Sequence, residues 1–187
     1  MIGHNGGPSM EAGFGFRKVA WSKARRALLP SLPLEVVRLR VARAKRLGLP
    51  YQTYATIRAT SGRDIVAFLF SGNALELTPR RLSLTDPVAA RLSDLPAGRI
   101  AAVYAPSHPH AVLQANMTDL DHAFRAPRIT DSWAQTRAQM SAVIKEQGLP
   151  RDGVVLVAAT ALEREWCTAG QLAGIVPAER FFGGVPA

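Results

Sequence analysis

The sequence predicts an α/β protein with a flexible leader at residues 1–15, a basic helical region at 16–62 and a small, mostly parallel α/β domain at 63–187. Three observations carry this expectation. Residues 1–64 hold twelve Lys and Arg against three Asp and Glu, whereas residues 65–187 hold eleven of each, so the whole net charge of +9 lies in the first third. After residue 62, short apolar runs without polar alternation recur at Ile65–Phe70, Ile100–Ala105 and Val154–Ala159. Such strands are the kind buried on both faces of a parallel sheet. Helical patterns separate them, and a parallel sheet needs that interleaving to cover its faces.

Taken in order, the leader is dense in glycine (Gly3, Gly6, Gly7, Gly13, Gly15) and has no periodic apolar face, so it reads as flexible chain. Its IGHNGGP resembles a short opening found in otherwise unrelated bacterial proteins. Arg17–Leu29 follows, with Val19, Ala20, Trp21, Ala24, Ala27 and Leu28 near helical spacing. Pro30 and Pro33 end it, because proline removes a backbone donor and disfavours helix in the residue before it. Leu34–Leu47 is a second helix, striped by Leu34, Val37, Val41 and Ala44 and stopped by Gly48. Pro50 suits the start of a third, Tyr51–Ala59, which Thr60-Ser61-Gly62 closes. Among the later helices, Asp131–Gln147 places Trp133, Met140, Val143 and Ile144 on one face, and Thr160–Ala173 opens with Thr160 and Glu163 in capping-box spacing.

Composition narrows the function. With 187 residues, 48% hydrophobic and 20% charged, the chain can bury one sizeable core, which excludes fibrous and wholly disordered classes. Cys167 is the sole cysteine, so no internal disulfide forms and no oxidising compartment is required. The first residues lack a basic segment followed by an apolar one, which is not the pattern of a signal peptide, and the apolar runs are strand-sized, too short to cross a bilayer. A cytoplasmic protein without a membrane partner is expected. A basic segment before a neutral body calls for an anionic partner, nucleic acid first.

The segment VARAKRLGLPYQTYATIR, Val41–Arg58, resembles the helix-turn-helix of bacterial DNA-binding proteins. In that comparison Ala44 lets two helices approach, Gly48 makes the turn, and Leu47, Leu49, Tyr54 and Ile57 lock the pair. The resemblance implies that the second helix enters the major groove with Gln52, Thr53, Thr56 and Arg58 facing the DNA. Arg38, Arg40, Arg43, Lys45 and Arg46 would add phosphate contacts, which give affinity but no sequence information. Arg43 departs from the apolar residue usual before Ala44, and Tyr54 is bulkier than the usual aliphatic. Begun earlier, at LPLEVVRLRVARAKRLGLPYQTY, the stretch also resembles ribbon-helix-helix repressors, in which the backbone amides of Tyr51–Thr53 would grip a phosphate. Pro30 and Pro33 flank the place of the strand that fold requires.

Three other constellations bear on chemistry. FLFSGNAL, Phe68–Leu75, and VLVAATALEREWCTAGQLAGI resemble the nucleophile loop and last motif of haloacid-dehalogenase-like hydrolases. Ser71, Gly72 and Asn73 stand where that family has its second aspartate, glycine and threonine. Leu69 stands at the nucleophile and Ala158-Ala159 at the metal-binding acids, so the resemblance implies a scaffold without the reaction. His108, His110, Asp119, Asp121 and His122 could bind a metal that activates water, but their spacing fits no closed metal motif, and Asp119 also suits a helix cap. Cys167 reads as a buried apolar residue, Glu163 and Glu165 point to different faces of one helix, and GFGF at 13–16 follows no strand.

The leading expectation is a DNA-binding transcriptional regulator, with RNA behind DNA as partner, no cofactor, and a homodimer supplying two half-sites. The alternatives are a metal-dependent hydrolase or nuclease using His108 and His110, and a non-catalytic adaptor of haloacid-dehalogenase-like fold binding an acidic protein.

Overall fold

A computed structural model describes residues 32–183, and the expected helix Arg17–Leu29 lies outside them. The chain divides after Arg38 into two units. Of the first, the described part is the start of α1 (Leu34–Arg46), where Arg38 pairs with Glu35 one turn back at 2.8 Å. From Leu39 onward the chain is one compact unit with a shared core, set out below.

That unit continues through α2 (Tyr51–Ser61), β1 (Ala67–Ser71), α3 (Asp86–Ser93), β2 (Gly98–Val103), α4 (Pro109–Ala115), β3 (His122–Arg125), α5 (Trp133–Glu146), a turn of 3-10 helix at Arg151–Gly153, β4 (Val154–Ala158), α6 (Ala161–Gly170), β5 (Gly174–Pro177) and α7 (Ala178–Phe182). The five strands form one sheet in the order β3-β2-β1-β4-β5, all parallel. This is the α/β fold that the interleaved pattern predicts, with the helical N-terminal region in place.

The three central strands are the three apolar runs. Every residue of β1 and β4 is buried, and Leu69 lies opposite Ile100 on one side and Leu156 on the other. Because successive side chains alternate across a strand, both faces of the sheet are apolar and both are covered. Phe68, Phe70, Val103, Val155 and Val157 face a cluster built with Val88 and Leu92 of α3, Val112 of α4 and Phe181 of α7. Ala67, Leu69, Ile100, Val154 and Leu156 face another, built with Met140, Val143 and Ile144 of α5 and Trp166 of α6. Ala44, Leu47, Leu49, Tyr54 and Ile57, the residues expected to lock a separate helical pair, belong to the first cluster. They bury against the sheet, so the α1–α2 turn is a layer of the α/β body.

Two strands carry no apolar run. β3 (HAFR) and β5 (GIVP) are four residues long, lie at the two edges and are partly exposed. Trp133, expected on the buried face of its helix, is 51% exposed because it opens α5 beyond the margin of the core.

Candidate functional site

Two places gather the candidate residues. At the first, α1 ends in Gly48, whose φ of 62° is a conformation glycine adopts without penalty. Arg91 of α3 closes this end. Its Nη2 donates to the carbonyls of Leu47 (3.1 Å) and Gly48 (3.0 Å), its Nε donates to the Phe181 carbonyl, and its guanidinium lies 4.6 Å from the centre of the Phe181 ring. Burial lowers its pKa. A side chain at Gly48 would collide with that guanidinium.

The arginines expected on DNA divide here. Arg43 donates from Nε to Asp64 (3.1 Å), from Nη1 to the Pro96 carbonyl (3.2 Å) and from Nη2 to the Ile65 carbonyl (2.9 Å). Arg58 lies 3.5 Å from the same carboxylate and donates to the Tyr54 hydroxyl, which in turn donates to Asp64 at 2.8 Å. Burial, then the Asp64 hydrogen bond, raise the Tyr54 pKa. Arg43 and Arg58 thus tie α1 and α2 to the chain entering β1 through Asp64, and both are less exposed than Arg38, Lys45 and Arg46. Arg38, Lys45, Arg46, Gln52 and Thr56 are exposed, although the Thr56 hydroxyl bonds back to the Gln52 carbonyl. Arg40, Tyr51 and Thr53 are half-buried, and no side chain caps the start of α2.

The histidine cluster does not assemble. His108 caps α4, its Nδ1 accepting from the His110 amide, while His122 opens β3. Asp121 is engaged by Arg99 through Nη2 (2.7 Å), Nε (3.1 Å) and the backbone amide (2.8 Å). Burial would raise the Asp121 pKa, but these Arg99 contacts hold it below the ordinary value. Asp119 caps no helix and accepts from its neighbour Thr118. Among the described residues no three His, Cys, Asp or Glu groups converge as metal ligands.

At the second place, the carboxyl ends of β1 to β4 open into a cleft of about 1010 Å³. The chain runs outward from β1 to β3 and resumes at β4 on the other side of β1. Doubly wound sheets leave a crevice at such a reversal. Its base is organised by Glu163 of α6, a side chain with no surface in water. Oε1 accepts from Asn73 Nδ2 (2.8 Å) and from the Tyr104 hydroxyl (2.7 Å), and Oε2 from the amides of Ala159 (2.8 Å) and Thr160 (2.9 Å). Burial alone would raise its pKa, yet the Tyr104 hydroxyl, the Thr160 amide, the Ser71 hydroxyl and the Ala159 amide outweigh it and hold Glu163 ionised below the ordinary glutamate value. Tyr104 moves the other way, raised first by burial and then by its bond to Glu163. Gly72 lets the loop after β1 approach β2: a Cβ there would press on the Ala102 carbonyl and the Tyr104 ring at 3.1 Å.

The capping box of Thr160 and Glu163 forms as its spacing predicts. Its link to Tyr104 and Asn73 has no local signal, because these residues stand 59 and 90 positions away in the chain. Leu69 is fully buried, and Ala158 and Ala159 bring no acid to the cleft. Cys167 is buried, which pushes its thiol up to about 11 and leaves it no nucleophile at neutral pH. Glu165 lines the cleft while Glu163 lies beneath it, on different faces as expected. No family model, curated protein or solved structure matches the chain.

Proposed function

We propose that the protein is a DNA-binding regulator without a catalytic role, whose neutral α/β body senses a ligand or a partner. The observation that carries this reading is the confinement of the whole net charge to residues 1–64, together with the exposure of Arg38, Lys45, Arg46, Gln52 and Thr56. Exposed Lys and Arg release counterions from DNA, and polar side chains on a short helix can read base edges. Arg43 and Arg58 drop out of the contact set because Asp64 holds them. Absence of catalysis is supported by a buried carboxylate whose two oxygens are both taken up by hydrogen bonds, and by Leu69 and Ala158-Ala159, which replace acids of the haloacid-dehalogenase-like pattern. That resemblance fits a scaffold for sensing. A cytoplasmic location and a homodimer reading two half-sites belong to the same proposal. Among the described residues no helix is long and apolar enough to cross a membrane.

The test is titration of labelled duplex DNA at several salt concentrations. Affinity should fall steeply with salt, and Lys45→Gln with Arg46→Gln should reduce the salt slope by about two. Gln52→Ala with Thr56→Ala should erase preference among genomic fragments. No binding at low salt, an unchanged slope, or tighter binding to RNA of equal length overturns the DNA reading.

A further inference from the structure

We propose that the strand-end cleft is a binding site for a small aromatic carboxylate, held by the Arg125 guanidinium and the Trp133 ring. None of the residues lining it belongs to the proposed DNA-contact set.

The cleft exposes large apolar side chains. Ile129, Trp133 and Leu162 are 82%, 51% and 45% exposed, and all three line this one cleft. Large side chains left in water around a concavity mark it as a place where something apolar is taken up. The Tyr104 and Trp166 rings, 5.9 Å apart, form another part of the lining. A planar body suits such walls, because aromatic pairs gain from stacked and edge-on geometries beyond plain burial.

The cleft also holds a cation without a carboxylate partner among the described residues. Arg125 ends β3 and is half-buried in the lining. Its Nη1 donates to the Ser107 carbonyl at 2.7 Å, and its own carbonyl accepts from Gln139 of α5, so both head and backbone are fixed. Among the described residues it has no carboxylate partner, whereas Arg128 nearby is paired with Asp131 at 3.1 Å. A guanidinium placed in this way has donors left for an anion.

The helix start beside the cleft favours a carboxylate over a phosphate. Doubly wound folds usually grip phosphate with free amides at a helix start beside the strand reversal. Here the amides of Ala159 and Thr160 already serve Glu163, and the Glu163 amide serves the Thr160 hydroxyl. The Glu163 carboxylate thus places a negative charge of its own at this helix start. Near it, Asn73 retains its Oδ1 as an acceptor, and the Tyr104 oxygen, having donated its proton, retains a lone pair. A ligand with a hydroxyl or ring N–H at the end remote from its carboxylate satisfies both sides.

Isothermal titration of the full chain, without DNA, with hydroxyphenylpropionate and with indoleacetate tests this. We expect saturable binding of at least one, with a dissociation constant of about 0.1 mM, and none of the corresponding methyl ester. Arg125→Gln should weaken binding about tenfold, Trp133→Ala should weaken it as well, and Arg128→Gln should leave it within about twofold. If neither carboxylate binds at about 10 mM, if Arg125→Gln leaves affinity unchanged, or if adenosine monophosphate binds more tightly than both, the proposal is overturned. Should Arg125→Gln fail to fold, the half-exposed Trp133→Ala decides alone. The Lys45→Gln, Arg46→Gln variant should bind the carboxylate as the parent does, so failure of this site and failure of DNA binding are read separately.

Discussion

Glu163 is a carboxylate with no surface in water, surrounded by donors that are all aimed at it. Replacing it with glutamine keeps one acceptor and turns an amide against two donors. Glu163→Gln should therefore cost about 2–4 kcal/mol, measured by urea unfolding. The pH dependence has a fixed sign. Its folded pKa lies below the unfolded value, so the stabilisation is complete above the ordinary carboxylate range and is lost as pH falls through that range to the folded pKa. In Glu163→Gln that part of the acid loss should be missing, while the part due to Asp121, also depressed, should remain. At this scale the sequence was half legible. The Thr160 to Glu163 spacing signals a helix cap, whereas Tyr104 and Asn73 reach the same carboxylate only through the order in which strands are laid side by side.

The same limit operates on elements. β1, β2 and β4 were visible because central strands of a parallel sheet are apolar throughout, while β3 and β5 sit at the edges, where four residues and partial exposure leave no pattern to read. The α1–α2 pair was visible through Gly48 and its apolar spacing, but its role was not. Nothing local tells that Arg43 will find Asp64, 21 residues on, instead of solvent. From this network comes a separation of effects. Arg43→Gln should lower stability by about 1–3 kcal/mol, because it leaves the Pro96 and Ile65 carbonyls and the Asp64 carboxylate short of donors. It should leave the salt slope of DNA binding unchanged in the folded fraction. Lys45→Gln with Arg46→Gln should do the reverse, since both side chains are exposed. Thermal melts set beside duplex titrations of the two variants check the contrast, and a lowered salt slope in Arg43→Gln would sink the structural assignment.

Across the whole molecule, the basic segment and the neutral body are less separate than their charges suggest. From Leu39 on, the residues that carry much of the positive surface are rooted in the core that covers one face of the sheet. Phe181 joins its two ends: the ring lies 5.1 Å from Phe68 and 5.3 Å from Phe70, and beneath the Arg91 guanidinium that caps Leu47 and Gly48. Ending the chain after Pro177 should accordingly expose the Leu47–Pro50 turn to protease, although that turn is some 130 residues away. Protection equal to that of the full chain would refute the dependence. During synthesis this means that α1 and α2 emerge from the ribosome long before the group that seats them exists. The α1–α2 turn would then be seated only after α7 is made.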